Sequence, residues 1–194
     1  ASFRIGALGF KKNGEVVEGI ADAAKQIKLG PGLANDTEMG PLVSDEQLSR
    51  VTGYMNAGQE AGATCVTGGS RLGEQGYFVT PTLFKDANEE MSIVREEIFG
   101  PVAYLAPFDD ESDGLTKAND TAYGLANSVW SSDLGRCRRV AESFEAGNGW
   151  INSHNVVVHG VPYGGVKQSG MGGGVGSIET LLDYYRGISV IRPL

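Results

Sequence analysis

Hydrophobic and polar positions along the chain follow two periods, one helical and one extended, and the two take turns from end to end. In residues 15–29, Val16, Val17, Ile20, Ala24 and Ile27 recur at helical spacing before Gly30-Pro31-Gly32 stops the run, which predicts a helix. Ser44 with Gln47 three residues on is a capping-box signature. Leu48, Val51 and Met55 follow on one face, and Gly62 closes this second predicted helix. Residues 64–67 and 77–84 are β-prone runs; Pro81 in the second fits a strand start, an edge or a bulge, because proline cannot donate to a ladder. Residues 102–108 read as a strand, 110–121 as a polar helix and 126–131 as a buried strand. Asp133 is placed to cap a helix carrying Leu134, Cys137, Val140 and Phe144 on one face, closed by Gly147. Residues 149–152 predict the next strand and 160–176 a Gly-dense loop. Ser177 is expected to cap a short helix ending near Tyr185, before a terminal extended arm at residues 188–192. This interleaving, with no internal repeat or linker, predicts an α/β fold rather than a bundle or sandwich.

Composition narrows the picture. With 194 residues, 41% hydrophobic and 21% charged, the chain can bury about 70% of its unfolded surface, so its core needs no disulfide or metal. Cys65 and Cys137 build no disulfide framework, which suits a reducing compartment, and a cytoplasmic location is expected. A net charge of -8 with no basic block argues against nucleic acid as a partner. Apolar stretches such as Val156-Val157-Val158 fall far short of the roughly 20 residues a spanning helix needs, so a soluble protein with no membrane partner is expected. The chain begins Ala1-Ser2 rather than with Met, and its first residues read as the interior of a longer protein.

Candidate chemistry is sparse. The loop Pro162-Tyr163-Gly164-Gly165-Val166-Lys167-Gln168-Ser169-Gly170-Met171-Gly172 invites a phosphate-cradle reading, because bare backbone amides bind anions. Its register rejects that: Lys167 follows Val166 and precedes Gln168, whereas a Walker loop needs Gly-Lys followed by Ser or Thr. Cys65, Cys137, His154 and His159 match no metal-ligand spacing. Glu96 and Glu97 could form an acid/base pair, but sequence neighbours point in different directions, so at most one faces any given pocket. Phe99-Gly100-Pro101 behind them makes a turn that holds an aromatic ring near a carboxylate, a geometry suited to gripping a flat polar ligand.

Several segments, in order and spacing, resemble the aldehyde dehydrogenase superfamily. They are Glu96-Glu97-Ile98-Phe99-Gly100-Pro101-Val102, Tyr123-Gly124-Leu125-Ala126, Gly149-Trp150-Ile151-Asn152 and Pro162-Tyr163-Gly164-Gly165-Val166-Lys167-Gln168-Ser169-Gly170. Met39-Gly40-Pro41-Leu42-Val43 and Gly76-Tyr77-Phe78-Val79-Thr80-Pro81-Thr82 extend the resemblance over nearly the whole chain. It implies a catalytic α/β domain over residues 1–185 and an oligomerisation β-arm over 186–194 that pairs with a neighbouring subunit in a homodimer or homotetramer. It also implies NAD or NADP as cofactor and a small-molecule aldehyde, oxidised to a carboxylic acid by way of a thiohemiacetal and thioester. The nucleophilic Cys, the general-base Glu and the cofactor-binding strands would all lie upstream of Ala1, so the isolated chain is expected to be inactive. Neither Cys65 nor Cys137 aligns with the nucleophile.

By the same resemblance Glu97 accepts hydrogen bonds from the nicotinamide-ribose hydroxyls, Phe99 packs beside the nicotinamide, and Glu96 has a structural role. Asn152 would support the catalytic centre from behind its first layer. His154, Asn155, Val157 and Tyr163 would line the aldehyde entrance, where size and polarity select the substrate. Two departures stand out. Tyr163 replaces the usual Phe and adds a hydroxyl, and Gly172-Gly173-Gly174-Val175-Gly176 replaces a stretch that commonly has an Arg and a Glu. Two other readings remain beside the enzyme: a naturally truncated, non-catalytic paralogue acting as an assembly partner, and a free-standing small-molecule binding domain.

Overall fold

The computed structural model describes residues 3–7, 13–171 and 174–192. The expectations for Ala1, Ser2 and Leu8, for Gly172 and Gly173, and for the last two residues of the arm fall outside these. The chain is α/β, as its periodicities predict, and it divides into two compact units, Ala1–Gly114 and Leu115–Leu194.

In the first unit, β1 (Phe3–Ala7), α1 (Asn13–Gln26), α2 (Asp45–Glu60), β2 (Thr64–Thr67), β3 (Thr82–Lys85), the single turn α3 (Ser92–Arg95) and β4 (Val102–Pro107) follow in order. The sheet runs β1-β4-β3-β2. β1 and β3 flank β4 in parallel, and β2 closes one edge antiparallel to β3. Alternation along the two inner strands builds a core on each face. Phe84, Val102 and Tyr104 point to one side, where they pack with Leu48, Val51, Met55, Ile93 and Ile98. Leu83 and Leu105 point to the other, against Ala21 with Val17 and Ile20 of α1. Helices therefore cover both faces, the arrangement that a parallel sheet requires.

Tertiary pairing reshapes two predicted elements here. The first helix stops at Gln26 rather than 29, because residues 28 and 29 leave it to pair with 38 and 39. The Lys28 N–H donates to the Glu38 carboxylate at 2.8 Å, and Leu29 bridges Met39. The run predicted at 77–84 splits in two at Pro81. Val79 bridges Arg71 upstream of it, and β3 begins only at Thr82, whose N–H donates to the Pro101 carbonyl at 2.8 Å. Proline has no N–H to continue the ladder, so Pro81 stands immediately ahead of β3, next to the strand-start position among the expected roles.

In the second unit, β5 (Tyr123–Gly124) pairs antiparallel with β8 (Val166–Lys167). β6 (Ala126–Val129), α5 (Leu134–Ser143) and β7 (Asn148–Ile151) form a parallel β-α-β unit. Between the units' main elements α4 spans Glu111–Asn119, and α6 is a single short turn, Ile178–Leu182. α5 begins as expected, with the Asp133 carboxylate accepting from the Arg136 N–H at 3.0 Å. Its predicted apolar face is narrower than expected: Cys137 is fully buried, but Leu134 is 66% exposed. A two-stranded sheet covers only a thin stripe of a helix. The expected Ser177 cap is not formed: its buried hydroxyl has no hydrogen-bond partner among the described residues, and the helix stops at Leu182, short of Tyr185. The Gly-dense loop contains β8, too short to announce itself by periodicity. Described residues of the arm, 186–192, form no strand; Ile188, Val190 and Ile191 are almost fully exposed. Among the described residues no helix is long and apolar enough to cross a membrane.

The Asp133 cap yields a pH prediction. The Arg136 backbone N–H holds the carboxyl below its ordinary range. A depressed folded value means that the cap stabilises α5 above the unfolded-state pKa of about 3.9 and is lost as pH falls through the folded value. Asp133→Asn keeps an acceptor but cannot titrate. Denaturant midpoints followed from neutrality into acid should fall less steeply for Asp133→Asn than for the parent below that pKa.

Candidate functional site

One candidate group is the turn between α3 and β4 in the first unit. Ile98 is 1% exposed and anchors the turn in the core, while Glu97 beside it is half-buried and Phe99 is 57% exposed. Phe99 has φ of +56°. For a bulky L-residue this left-handed conformation is disfavoured by roughly 1–2 kcal/mol, so surrounding contacts must hold it. Gly100 sits so close to α2 that a Cβ there would lie 2.6 Å from Val51 Cγ2, which explains the glycine. Phe99, Gly100 and Pro101 form one wall of an open cleft of about 380 Å³, with Met39, Pro41, Leu42 and Val79 around the rest.

Side chains of α2 attach to this turn. The Gln47 amide donates to the carbonyls of Ile98 and Phe99, each at 2.9 Å, and Arg50 donates to the Glu97 carbonyl at 3.1 Å. Tyr54 donates its phenol to the Glu96 carboxylate at 2.6 Å. That hydrogen bond to Glu96 is the main cause holding the Tyr54 pKa above its ordinary value, so the phenol remains a donor. The capping box predicted for Gln47 is half right. The Ser44 hydroxyl accepts from the Gln47 N–H at 3.2 Å, but the Gln47 side chain serves the turn instead of reaching back to the cap. The Glu97 carboxylate itself has no hydrogen-bond or ion-pair partner among the described residues.

The second group lies in the other unit, after β7. Asn152 has φ of +50°, and its side-chain amide clamps the backbone of Ser131, accepting from its N–H at 2.9 Å and donating to its carbonyl at 3.0 Å. It thereby ties the exit of β7 to the exit of β6. Trp150 organises the loop beyond. Its indole N–H donates to the Val156 carbonyl at 2.9 Å, the His154 ring meets it edge-on at 5.2 Å, and the Tyr163 ring lies at 6.3 Å. Asn155, with φ of +57°, and Val157, 63% exposed, sit on the turn between. Tyr163 is half-buried and exchanges backbone hydrogen bonds of 2.9 Å with Val175. Sequence reasoning did not single out Trp150 as the residue that organises this loop; its signal was an aromatic strand residue directly before it.

Lys167, whose register argued against a phosphate cradle, is fully engaged. Its ammonium donates to the carbonyls of Asn119 and Thr121 at the end of α4 and pairs with Glu145 at 2.7 Å. Gly147 holds the loop from below: a Cβ there would collide with the Gly164 carbonyl oxygen. Gly147→Ala should therefore destabilise the protein by about 1–3 kcal/mol through overpacking, read as a lower denaturant midpoint at unchanged slope.

The fold agrees with comparisons to known proteins. The model of the aldehyde dehydrogenase family matches residues 11–190, and the chain belongs to that family. It is 42% identical over 171 residues, 88% of its length, to an aldehyde dehydrogenase of Agaricus bisporus, and spans 34% of that relative. Among solved structures, betaine aldehyde dehydrogenase from Staphylococcus aureus in complex with NAD+ superposes with a TM-score of 0.88 at 37% identity, covering 93% of this chain and 36% of that one. The NAD+ complex of an aldehyde dehydrogenase from Bacillus cereus gives 0.87 at 43% identity, covering 91% and 36%. The chain thus spans about a third of the length of these relatives.

Proposed function

We propose that this chain is the C-terminal part of an NAD- or NADP-dependent aldehyde dehydrogenase that oxidises an aldehyde to a carboxylic acid. The nucleophilic Cys and general-base Glu belong to upstream sequence, and the chain alone is inactive. One observation supports it above the others: a half-buried carboxylate, Glu97, has no hydrogen-bond or ion-pair partner among the described residues and stands beside an exposed ring, Phe99, held at positive φ. Strain at an exposed bulky residue persists only where the surroundings enforce it, and such positions cluster at ligand sites.

An acceptor-only carboxylate beside an aromatic face fits a nicotinamide nucleoside, whose ribose presents two adjacent hydroxyls and whose ring is flat. The cofactor supplies a hydride acceptor. Glu97 accepts the ribose hydroxyls and Phe99 packs at the nicotinamide end, fixing the ring against rotation, since small misplacement at a reacting centre costs orders of magnitude in rate. Asn152 acts by bracing the β6–β7 ends. His154, Asn155, Val157 and Tyr163 line the aldehyde entrance, held by Trp150. The protein assembles as a homodimer or homotetramer through the 186–194 arm, in keeping with its exposed Ile188, Val190 and Ile191, and works in the cytoplasm.

The test is an assay of the full-length protein carrying this chain, with NAD or NADP and a panel of aldehydes, following formation of the reduced cofactor. Turnover with at least one aldehyde is expected. No reduction with any aldehyde, in a preparation whose upstream Cys is intact and reactive, overturns the proposal in favour of a non-catalytic assembly partner.

A further inference from the structure

The sequence between Glu145 and Lys167 contains no Asp, Glu, Lys or Arg, and those two flanking charges pair with each other at 2.7 Å. Within it Val156, Val157, Val158 and Val161 are each between 54% and 63% exposed. Loops are ordinarily polar, so four exposed valines within six positions mark a surface built to meet something apolar.

The valines are held in place. The Trp150 indole N–H donates to the Val156 carbonyl at 2.9 Å. The Val161 N–H donates to the Val158 carbonyl at 3.3 Å across a turn with Gly160 at φ of +86°, which brings Val158 and Val161 side by side. The Gly160 N–H also donates to the Gly176 carbonyl at 2.8 Å, and with the Tyr163–Val175 pair this lays residues 174–176 against 160–163. Gly174 permits that approach: its φ is +119°, and a Cβ there would collide with the Tyr163 carbonyl oxygen. The Asn148 amide closes the base by donating to the carbonyls of Leu125 and Gly164 at 2.8 and 2.9 Å. A loop fixed at both ends and valines that are stiff at χ1 make the apolar surface preformed, so binding to it costs little ordering.

Charge narrows what this surface takes. The loop has no carboxylate for an ammonium and no ammonium or guanidinium for a carboxylate. Trp150, the ring type best suited to a cation, is half-buried and engaged by the rings of His154 and Tyr163 at 5.2 and 6.3 Å. A charged tail would lose water here and gain no partner, whereas a hydrocarbon tail gains apolar contact.

We infer that the entrance loop selects an uncharged aldehyde with a hydrocarbon tail of several carbons, which lies along Val156, Val157, Val158 and Val161. This rests on the functional reading above and deepens it by naming the substrate class. It also makes Val156, Val158 and Val161 specificity-determining residues beside Val157.

The experiment assays the full-length enzyme with unbranched aldehydes from propanal to decanal, and with betaine aldehyde and succinic semialdehyde as cationic and anionic probes. Through the middle of the series kcat/KM should rise about two- to fourfold for each added methylene. Both charged aldehydes should fall at least about 100-fold below hexanal. A variant carrying Val156→Thr, Val157→Thr and Val158→Thr keeps the branched shape and exchanges methyls for hydroxyls. It should lower kcat/KM for octanal about tenfold while leaving propanal and the cofactor KM within about twofold of the parent. Val157→Thr alone, with a loss of about threefold for octanal, serves if the triple variant does not fold.

Four results overturn the inference. Equal kcat/KM along the series, or a charged aldehyde turned over best, removes the apolar class and leaves the dehydrogenase reading standing. A chain-length preference that persists unchanged in the Thr variants takes the valines out of substrate selection. The same persistence together with a changed oligomeric state on size exclusion assigns the valines to a subunit interface instead. No turnover with any aldehyde, in enzyme whose upstream Cys is intact and reactive, removes the functional reading and the substrate class together.

Discussion

Glu97→Ala in the full-length enzyme is expected to raise the cofactor KM and lower kcat/KM for the cofactor by about 10- to 150-fold, with the unfolding midpoint nearly unchanged. The magnitude follows from the chemistry: a hydrogen bond to a charged group contributes about 1.5–3 kcal/mol, and each 1.4 kcal/mol is a factor of ten. Stability should be preserved because the carboxylate has no hydrogen-bond or ion-pair partner among the described residues, so its removal breaks no such bond. Glu96→Ala should behave in the opposite sense. It deprives Tyr54 of its acceptor and loosens the turn, but removes no ligand group. Steady-state kinetics of the two variants, with thermal melts alongside, separates the roles of two adjacent residues of the same type.

The largest stability effect is expected at Phe84. Its side chain is fully buried on an inner strand, packed among Val51, Met55, Ile98 and Tyr104. Truncation to Ala removes most of an aromatic ring from a close-packed site and leaves a cavity, for about 3–5 kcal/mol. Leu83, one residue earlier, faces the smaller cluster on the other side of the sheet with Ala21 and Leu105. The two truncations act on opposite cores, so their effects should add to within about 0.5 kcal/mol in the double variant. Urea melts of the two single variants and the double check both numbers. A Phe84→Ala loss below about 1 kcal/mol would contradict the packing described for this strand.

Elements with a sustained period were legible in the sequence. α2 and α5 start where Ser44 and Asp133 predicted, because a cap is a local hydrogen bond between residues three apart. β4 lies where its apolar run indicated. The misses have physical causes. β5 and β8 are two residues each, too short to display a period, and exist only because they pair with each other. The first helix lost its last turn to residues 38 and 39, and Pro81 divided a run that was continuous in hydrophobicity. Leu134 kept the right spacing for a buried face, but no surface was there to bury it.

The sequence alone pointed to the family, the α/β class and the candidate residues Glu97 and Phe99. Those depend on residue types at fixed short spacings. Only the tertiary structure decided what holds them. Gln47 and the carbonyls it grips are 51 and 52 residues apart, and Gln47 looked like half of a capping box until the turn arrived beside it. A hydrogen bond between distant segments leaves no periodic trace in either one, because its existence depends on where the packed core places both.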